Sequence, residues 1–185
     1  MVLFLFGCSS VDISQYQNNQ PKLSLPDFFN GPLTAHGILK NRSGEVIRYF
    51  NATLTGSWDE QGVGTLDEDF IFNDGEKQKR IWTFTPDGKG SYLASAGDVK
   101  EAVPVKTAGN ALFMTYVLNI LYKGEPIEVS IDDKMYLVSD HVIINESVMS
   151  KFGFNVGYLT LTIIKAGNTP EYPDNSQRGQ DSLGQ

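Results

Sequence analysis

One cysteine, Cys8, stands among 185 residues, so no disulfide can close within the chain. There are two histidines, His36 and His141, and neither lies in a metal-spaced pair such as His-x-His or His-Glu-x-x-His. Basic residues are outnumbered, 15 against 22 acidic, for a net charge of −7. That balance argues against nucleic acid, whose phosphates demand a basic face, and against a broad electrostatic grip on anionic lipid. No serine sits in a Gly-x-Ser-x-Gly elbow. Gly88-x-Gly90 reads as a turn with no helix after it to hold a phosphate. The short apolar run Val2 to Phe6 falls far below the roughly 20 residues that span a bilayer.

What is present is a chain of alternating strands. Val63 to Thr85 reads as one long β-hairpin. Leu66, Glu68, Phe70 and Phe72 share one face of its first arm. Trp82 and Phe84 share a face of the second with Gln78 and Arg80, and Ile71 and Ile81 are the exceptions. Asn73-Asp74-Gly75 supplies the turn, since Asn and Gly tolerate positive φ. A two-residue Asp-Gly turn would pair Phe72 with Lys77 and put Trp82 among the acidic residues. An odd loop keeps the aromatics on one interior and sets Asp67 and Asp69 outside beside Lys77 and Lys79. The expected register pairs Phe70 with Arg80 and Glu68 with Trp82. Glu68 and Arg80 then sit diagonally, as a partly buried ion pair. Such a pair either sets register or closes a barrel end, or it meets the head group of a ligand. Desolvation largely offsets its attraction, so it is weak evidence for stability.

Further strands are expected over Leu33 to Lys40, Glu45 to Trp58, Ser91 to Ala96, Ala111 to Tyr122, Ile127 to Ile131, Met135 to Val138, Val142 to Asn145 and Tyr158 to Lys165. Asp98 to Gly109 reads as irregular, with Pro104 against a central strand. Asp27 to Pro32 is the entry to the domain, its aromatics plugging a barrel end or marking a turn. Close spacing and short connections make the fold all-β: an antiparallel up-and-down barrel of about eight to ten strands, lipocalin-like in architecture.

Leu5-Phe6-Gly7-Cys8 resembles a bacterial lipobox, with Ser9 and Ser10 after it. The resemblance implies that Cys8 carries the lipid and becomes the mature N-terminus. A full signal peptide has a basic n-region and about 7–15 apolar residues, which places the expected start upstream of Met1. Ser9 rather than Asp after the cysteine implies delivery to the periplasmic face of the outer membrane of a Gram-negative bacterium. The organisation expected is a truncated signal segment over 1–8, a flexible Ser/Asn/Gln/Pro tether over 9–26, one barrel over 27–166 and a disordered tail over 167–185.

Several stretches together resemble a bacterial lipoprotein family, domain of unknown function 3833, over roughly residues 26 to 166. They are Phe29-Asn30-Gly31, Gly64 to Phe70, Asp74-Gly75-Glu76, Arg80-Ile81-Trp82, Gly109-Asn110-Ala111, Asp132 to Leu137 and Phe152-Gly153. Lys134 stands where the family usually has Trp. The resemblance implies a lipidated periplasmic lipocalin-like barrel, its members often encoded near lipid-modifying enzymes. It carries no catalytic residues.

The expected function is binding of an apolar small molecule, a lipid, acyl chain or isoprenoid, inside the barrel of a membrane-anchored protein. Candidate contacts are Glu68, Arg80, Trp82, Tyr92, Phe70 and Trp58. The alternative is an interaction lipoprotein with a filled barrel and no ligand. Catalysis would have to use Asp140-His141 or Glu68, without a triad or metal signature, so no catalytic residue is assigned. No cofactor, metal or nucleic acid is expected, and the sequence leaves oligomeric state open. Asp132-Asp133 with Asp140 offers oxygen ligands for calcium, against the plainer reading of a charged turn between two strands.

Overall fold

The computed structural model describes residues 11–122 and 124–166. Ten antiparallel strands close into a barrel in simple meander order: β1 (Gly31–Asn41), β2 (Val46–Trp58), β3 (Gly64–Phe72), β4 (Lys77–Pro86), β5 (Tyr92–Ala96), β6 (Val103–Ala108), β7 (Ala111–Tyr122), β8 (Glu125–Ser139), β9 (Val142–Lys151) and β10 (Phe154–Lys165). β10 returns to pair with β1, Leu33 opposite Lys165, so the sheet closes between its first and last strands. This is the expected architecture, at the upper end of the expected strand number.

A meander puts the turns after β1, β3, β5, β7 and β9 at one end and the others at the opposite end. The second end is plugged. A short helix, α1 (Leu25–Phe29), precedes β1 and buries Leu25, Phe28 and Phe29 in the core. Gly56 makes this fit, because a Cβ there would lie 1.7 Å from the Phe29 carbonyl oxygen. The Asp27-to-Pro32 aromatics therefore act as a plug.

Inward and outward faces follow the alternation. Phe50, Ala52 and Leu54 of β2, Leu66 and Glu68 of β3, and Trp82 and Phe84 of β4 are buried, while Ile71 and Ile81 are exposed. The β3–β4 turn is the odd loop Asn73-Asp74-Gly75, with Gly75 at φ 84°. The register nevertheless differs from the expected one by two residues. Glu68 stands directly opposite Arg80, Leu66 opposite Trp82 and Phe70 opposite Gln78. A two-residue slip keeps every side chain on its face, so alternation is blind to it.

Three other expectations are corrected. Asp98 to Gly109 is not irregular throughout: its second half is β6. Pro104 is tolerated there because it pairs with Leu93 of β5 alone, before the β6–β7 pairing begins at Lys106. Asp132-Asp133 is not a turn. β8 runs unbroken through it, with Asp133 turned inward and buried and Asp132 half-exposed. Residues 12–23, expected as a tether, lie along the barrel. A 3₁₀ helix, Ile13–Tyr16, sets the Tyr16 ring 5.7 Å from Phe113 and 5.3 Å from Tyr136. The Leu23 N–H donates to the Gly109 carbonyl. Polar composition hid these spaced apolar anchors. Only the first half of β7 is covered on both faces, by this segment; Thr115 and Asn119 beyond it are exposed. Cys8, the expected signal segment over 1–8 and the expected tail over 167–185 lie outside the described residues.

Candidate functional site: a buried polar cluster behind a seam in the wall

The barrel wall is incompletely hydrogen-bonded at one place. β4 pairs with β5 only from Trp82 onward, so its first residues, Lys77 to Ile81, have a strand neighbour on the β3 side alone. Across the gap, the second half of β7 meets residues 98–100 instead of a strand. Val99 bridges Leu118, the Lys100 N–H donates to the Val117 carbonyl, and the Asn119 N–H donates to the Asp98 carbonyl. The segment between β5 and β6 is thus a strap over a seam.

Arg80 clasps this strap. Its Nε and Nη2 reach the Asp98 carboxylate, with Nη2 to Oδ2 at 2.7 Å. Burial of Arg80 disfavours its charge, but the hydrogen bonds and charge of the Asp98 carboxylate outweigh it and raise the guanidinium above its ordinary value. The Arg80 side chain is 23 % exposed and that of Asp98 34 %, so the clasp meets solvent. The ion pair expected between Glu68 and Arg80 is replaced by this one.

Behind the clasp lie groups on four more strands. Glu68 is buried opposite Arg80. Burial pushes its carboxyl up to about 7, opposed by the charge of Arg80 and reinforced by the negative charge of Asp133 and Asp98. Asp133 of β8 accepts from Asn145 Nδ2 at 2.5 Å and Ser147 Oγ at 2.7 Å, both on β9, and from the Tyr116 hydroxyl of β7 at 3.5 Å. Desolvation raises the Asp133 carboxyl despite these bonds. It also holds the Tyr116 phenol protonated, aided by the Asp133 charge. The Trp82 ring stands 5.3 Å from that of Tyr116, edge to face.

Two buried carboxyl groups therefore share a mostly apolar interior beside the Arg80–Asp98 clasp. A group near 7 is part protonated at neutral pH, so Glu68 can donate or accept a hydrogen bond. Buried, perturbed carboxyls behind a solvent-facing ion pair are a pattern found at binding and proton-handling sites.

Of the candidate contacts read from the sequence, Glu68, Arg80 and Trp82 adjoin this cluster. Phe70 lies toward the unplugged end, in contact with Phe50 at 5.4 Å between ring centres. Tyr92 and Trp58 belong to the plugged end, where Trp58 stacks on Phe84 at 6.4 Å. Asp98, Tyr116, Asn145 and Ser147 were missed, and Asp133 was read only as part of a charged turn or of a calcium site with Asp132 and Asp140. The one signal for Asp133 was its place in the in–out alternation of Ile131, Asp133 and Met135. His36 bonds Asn51 on the outside, and His141 sits in the β8–β9 turn. Among the described residues no three His, Cys, Asp or Glu come together as metal ligands, and Asp133 is turned away from a calcium role by its Asn and Ser partners.

The model of the family described as "Protein of unknown function (DUF3833)" matches residues 2–165. The chain belongs to this family. The match begins well before residue 26, so it takes in the segment that runs along the barrel. No curated protein matches the chain. Among solved structures, a protein of unknown function from the DUF3598 family of Nostoc punctiforme is 18 % identical with a TM-score of 0.57, over 79 % of this chain and 50 % of that one. The chain thus spans about half the length of that relative. An S-type phycobiliprotein lyase from Guillardia theta is 11 % identical with a TM-score of 0.48, over 80 % and 95 % of the two chains. A redesigned β-barrel bound to DFHBI is 13 % identical with a TM-score of 0.38, over 74 % and 94 %. These identities speak to fold alone.

Proposed function

We propose that this DUF3833 protein is a lipid-anchored binding barrel, held through Cys8 at the periplasmic face of the outer membrane. Its ligand is a small molecule with an apolar body, an acyl chain or isoprenoid, and a polar head. The observation that carries this reading is the buried pair of carboxyls Glu68 and Asp133 beside Arg80, which Asp98 ties to a strap rather than to a paired strand. The head group meets Arg80 and Glu68. The apolar body lies along the Trp82 side of the interior. Entry displaces the strap, which hangs on the Arg80 clasp and the Val99 bridge.

The test is native mass spectrometry of the soluble protein, followed by organic extraction of what co-purifies and titration with fluorescent fatty-acid and isoprenoid probes. A stoichiometric apolar molecule supports the reading, and Arg80→Ala should weaken probe binding about tenfold. A second reading is favoured by the packing. Phe50 lies directly over Gly37, where a Cβ would come within 2.4 Å of its ring, and a cleft beside His36, Tyr49 and Asn51 opens on the outside of the barrel. A protein that arrives empty and binds neither probe is a filled barrel working through its surface.

A further inference from the structure

β1 and β10 pair to their ends, Lys40 opposite Tyr158 and Asn41 opposite Gly157. The β1–β2 and β9–β10 turns are therefore neighbours at the unplugged end. The β9–β10 turn breaks a local rule. Lys151 faces Phe154, which leaves a two-residue turn of Phe152 at φ 52° and Gly153 at φ 79°. Two positive-φ residues make a type I′ turn, whose first position favours Asn, Asp or Gly. A bulky residue there is strained. Phe152 holds that position with 87 % of its surface exposed, and Phe154 beside it is 75 % exposed. Val46, Ile47 and Val156 on the two tips are exposed as well. No packing in the folded chain explains an aromatic at so costly a position.

The charges around it depart from the rest of the molecule. Lys40, Arg42 and Lys151 flank the two tips, and none forms an ion pair among the described residues. Glu45, the acidic residue of the β1–β2 turn, is engaged by the Asn41 side-chain amide at 2.9 Å. Lys151 Nζ lies 5.0 Å from the centre of the Phe152 ring. Lys151 Nζ also donates to the Glu128 backbone carbonyl at 3.4 Å, which leaves its charge without a carboxylate. A chain of net charge −7 thus shows exposed aromatics and three cations outside any ion pair on two adjoining tips. Phenylalanine, like Trp and Leu, buries at the boundary between headgroups and acyl chains, and lysines and arginines near it gain from anionic lipid.

We propose that the β1–β2 and β9–β10 tips form an edge that docks on an anionic lipid surface, inserting Phe152 and Phe154 at the boundary between headgroups and acyl chains. The low basic content excludes a broad electrostatic grip, and this edge needs only three cations. It is independent of the Cys8 anchor and of any ligand in the barrel.

The full chain carrying Cys8→Ser, which removes the acyl anchor, is sedimented with vesicles of phosphatidylcholine alone or with about one third phosphatidylglycerol. The protein should partition to the anionic vesicles at least several-fold more strongly. Phe152→Asn with Phe154→Ser should reduce that partition about tenfold. Asn suits the left-handed position, so the Phe152→Asn turn keeps or gains stability, and an unchanged unfolding midpoint separates lost docking from lost fold. Arg42→Glu with Lys151→Glu should abolish the preference for anionic lipid. Equal partition of the aromatic variant and its parent overturns the proposal. So does failure of the parent to sediment with anionic vesicles, which would assign the edge to a protein partner.

Discussion

Arg80 and Asp98 join across the barrel seam by two guanidinium nitrogens, the shorter contact at 2.7 Å. One residue belongs to a strand with a single neighbour and the other to the strap that stands in for the missing one. The pair is part-buried, so its loss falls between the about 1 kcal/mol of an exposed pair and the about 3 kcal/mol of a broken buried one. Asp98→Ala should lower stability to urea by about 1–2 kcal/mol. It should also speed hydrogen exchange at the Lys100 and Asn119 amides, which hold the strap to β7. Exchange unchanged at both amides would show that the strap does not depend on the clasp.

Glu68 predicts an unusual pH profile. Its carboxyl is pushed from 4.5 up to about 7 in the folded chain. Between those values the folded chain binds this proton more tightly than the unfolded chain does. Stability from this group is therefore full below about 4.5 and lost as pH rises through 7. The loss is on the order of 3 kcal/mol. Asp133 acts in the same direction from its own raised position. Glu68→Gln removes the proton, so the variant should match the parent near pH 5 and exceed it at pH 8. Parallel urea midpoints across that range would refute the buried carboxyl.

Gly56→Ala should detach the plug. The new methyl meets a backbone carbonyl, which cannot swing aside as a side-chain end can. A cost of about 1–3 kcal/mol is expected from overpacking. Phe28 and Phe29 would come free of the core, and the dye ANS should bind where it does not bind the parent.

Tyr16→Ala should release residues 12–23 from the wall. Two aromatic contacts are lost, each about 0.5–1.5 kcal/mol beyond area burial. Limited proteolysis should then cut within this stretch and leave the barrel whole. Resistance equal to that of the parent would mean that the Asn19–Asn110 and Leu23–Gly109 hydrogen bonds and the buried Leu23 secure it without the ring.

The alternation of Leu66, Glu68, Phe70 with Gln78, Arg80, Trp82 and Phe84 was enough to place both arms' side chains in or out, Ile71 and Ile81 included. Side-chain direction is a local property of an extended backbone, with period two. The odd loop was legible for the same reason, since only one parity brings the aromatics together. What lay beyond local reading was register and convergence. A slip of two residues leaves every face intact, so only the summed packing of the closed barrel selected Glu68 opposite Arg80. Asp132-Asp133 looked like a turn because a charged pair in a strand is costly. Partners some 12 and 14 residues away, Asn145 and Ser147, make Asp133 tolerable inside. Asp98 likewise finds Arg80 only because the strap crosses the seam. Composition and periodicity determined the barrel and its lining; the closing of ten strands on one another decided which buried charges meet.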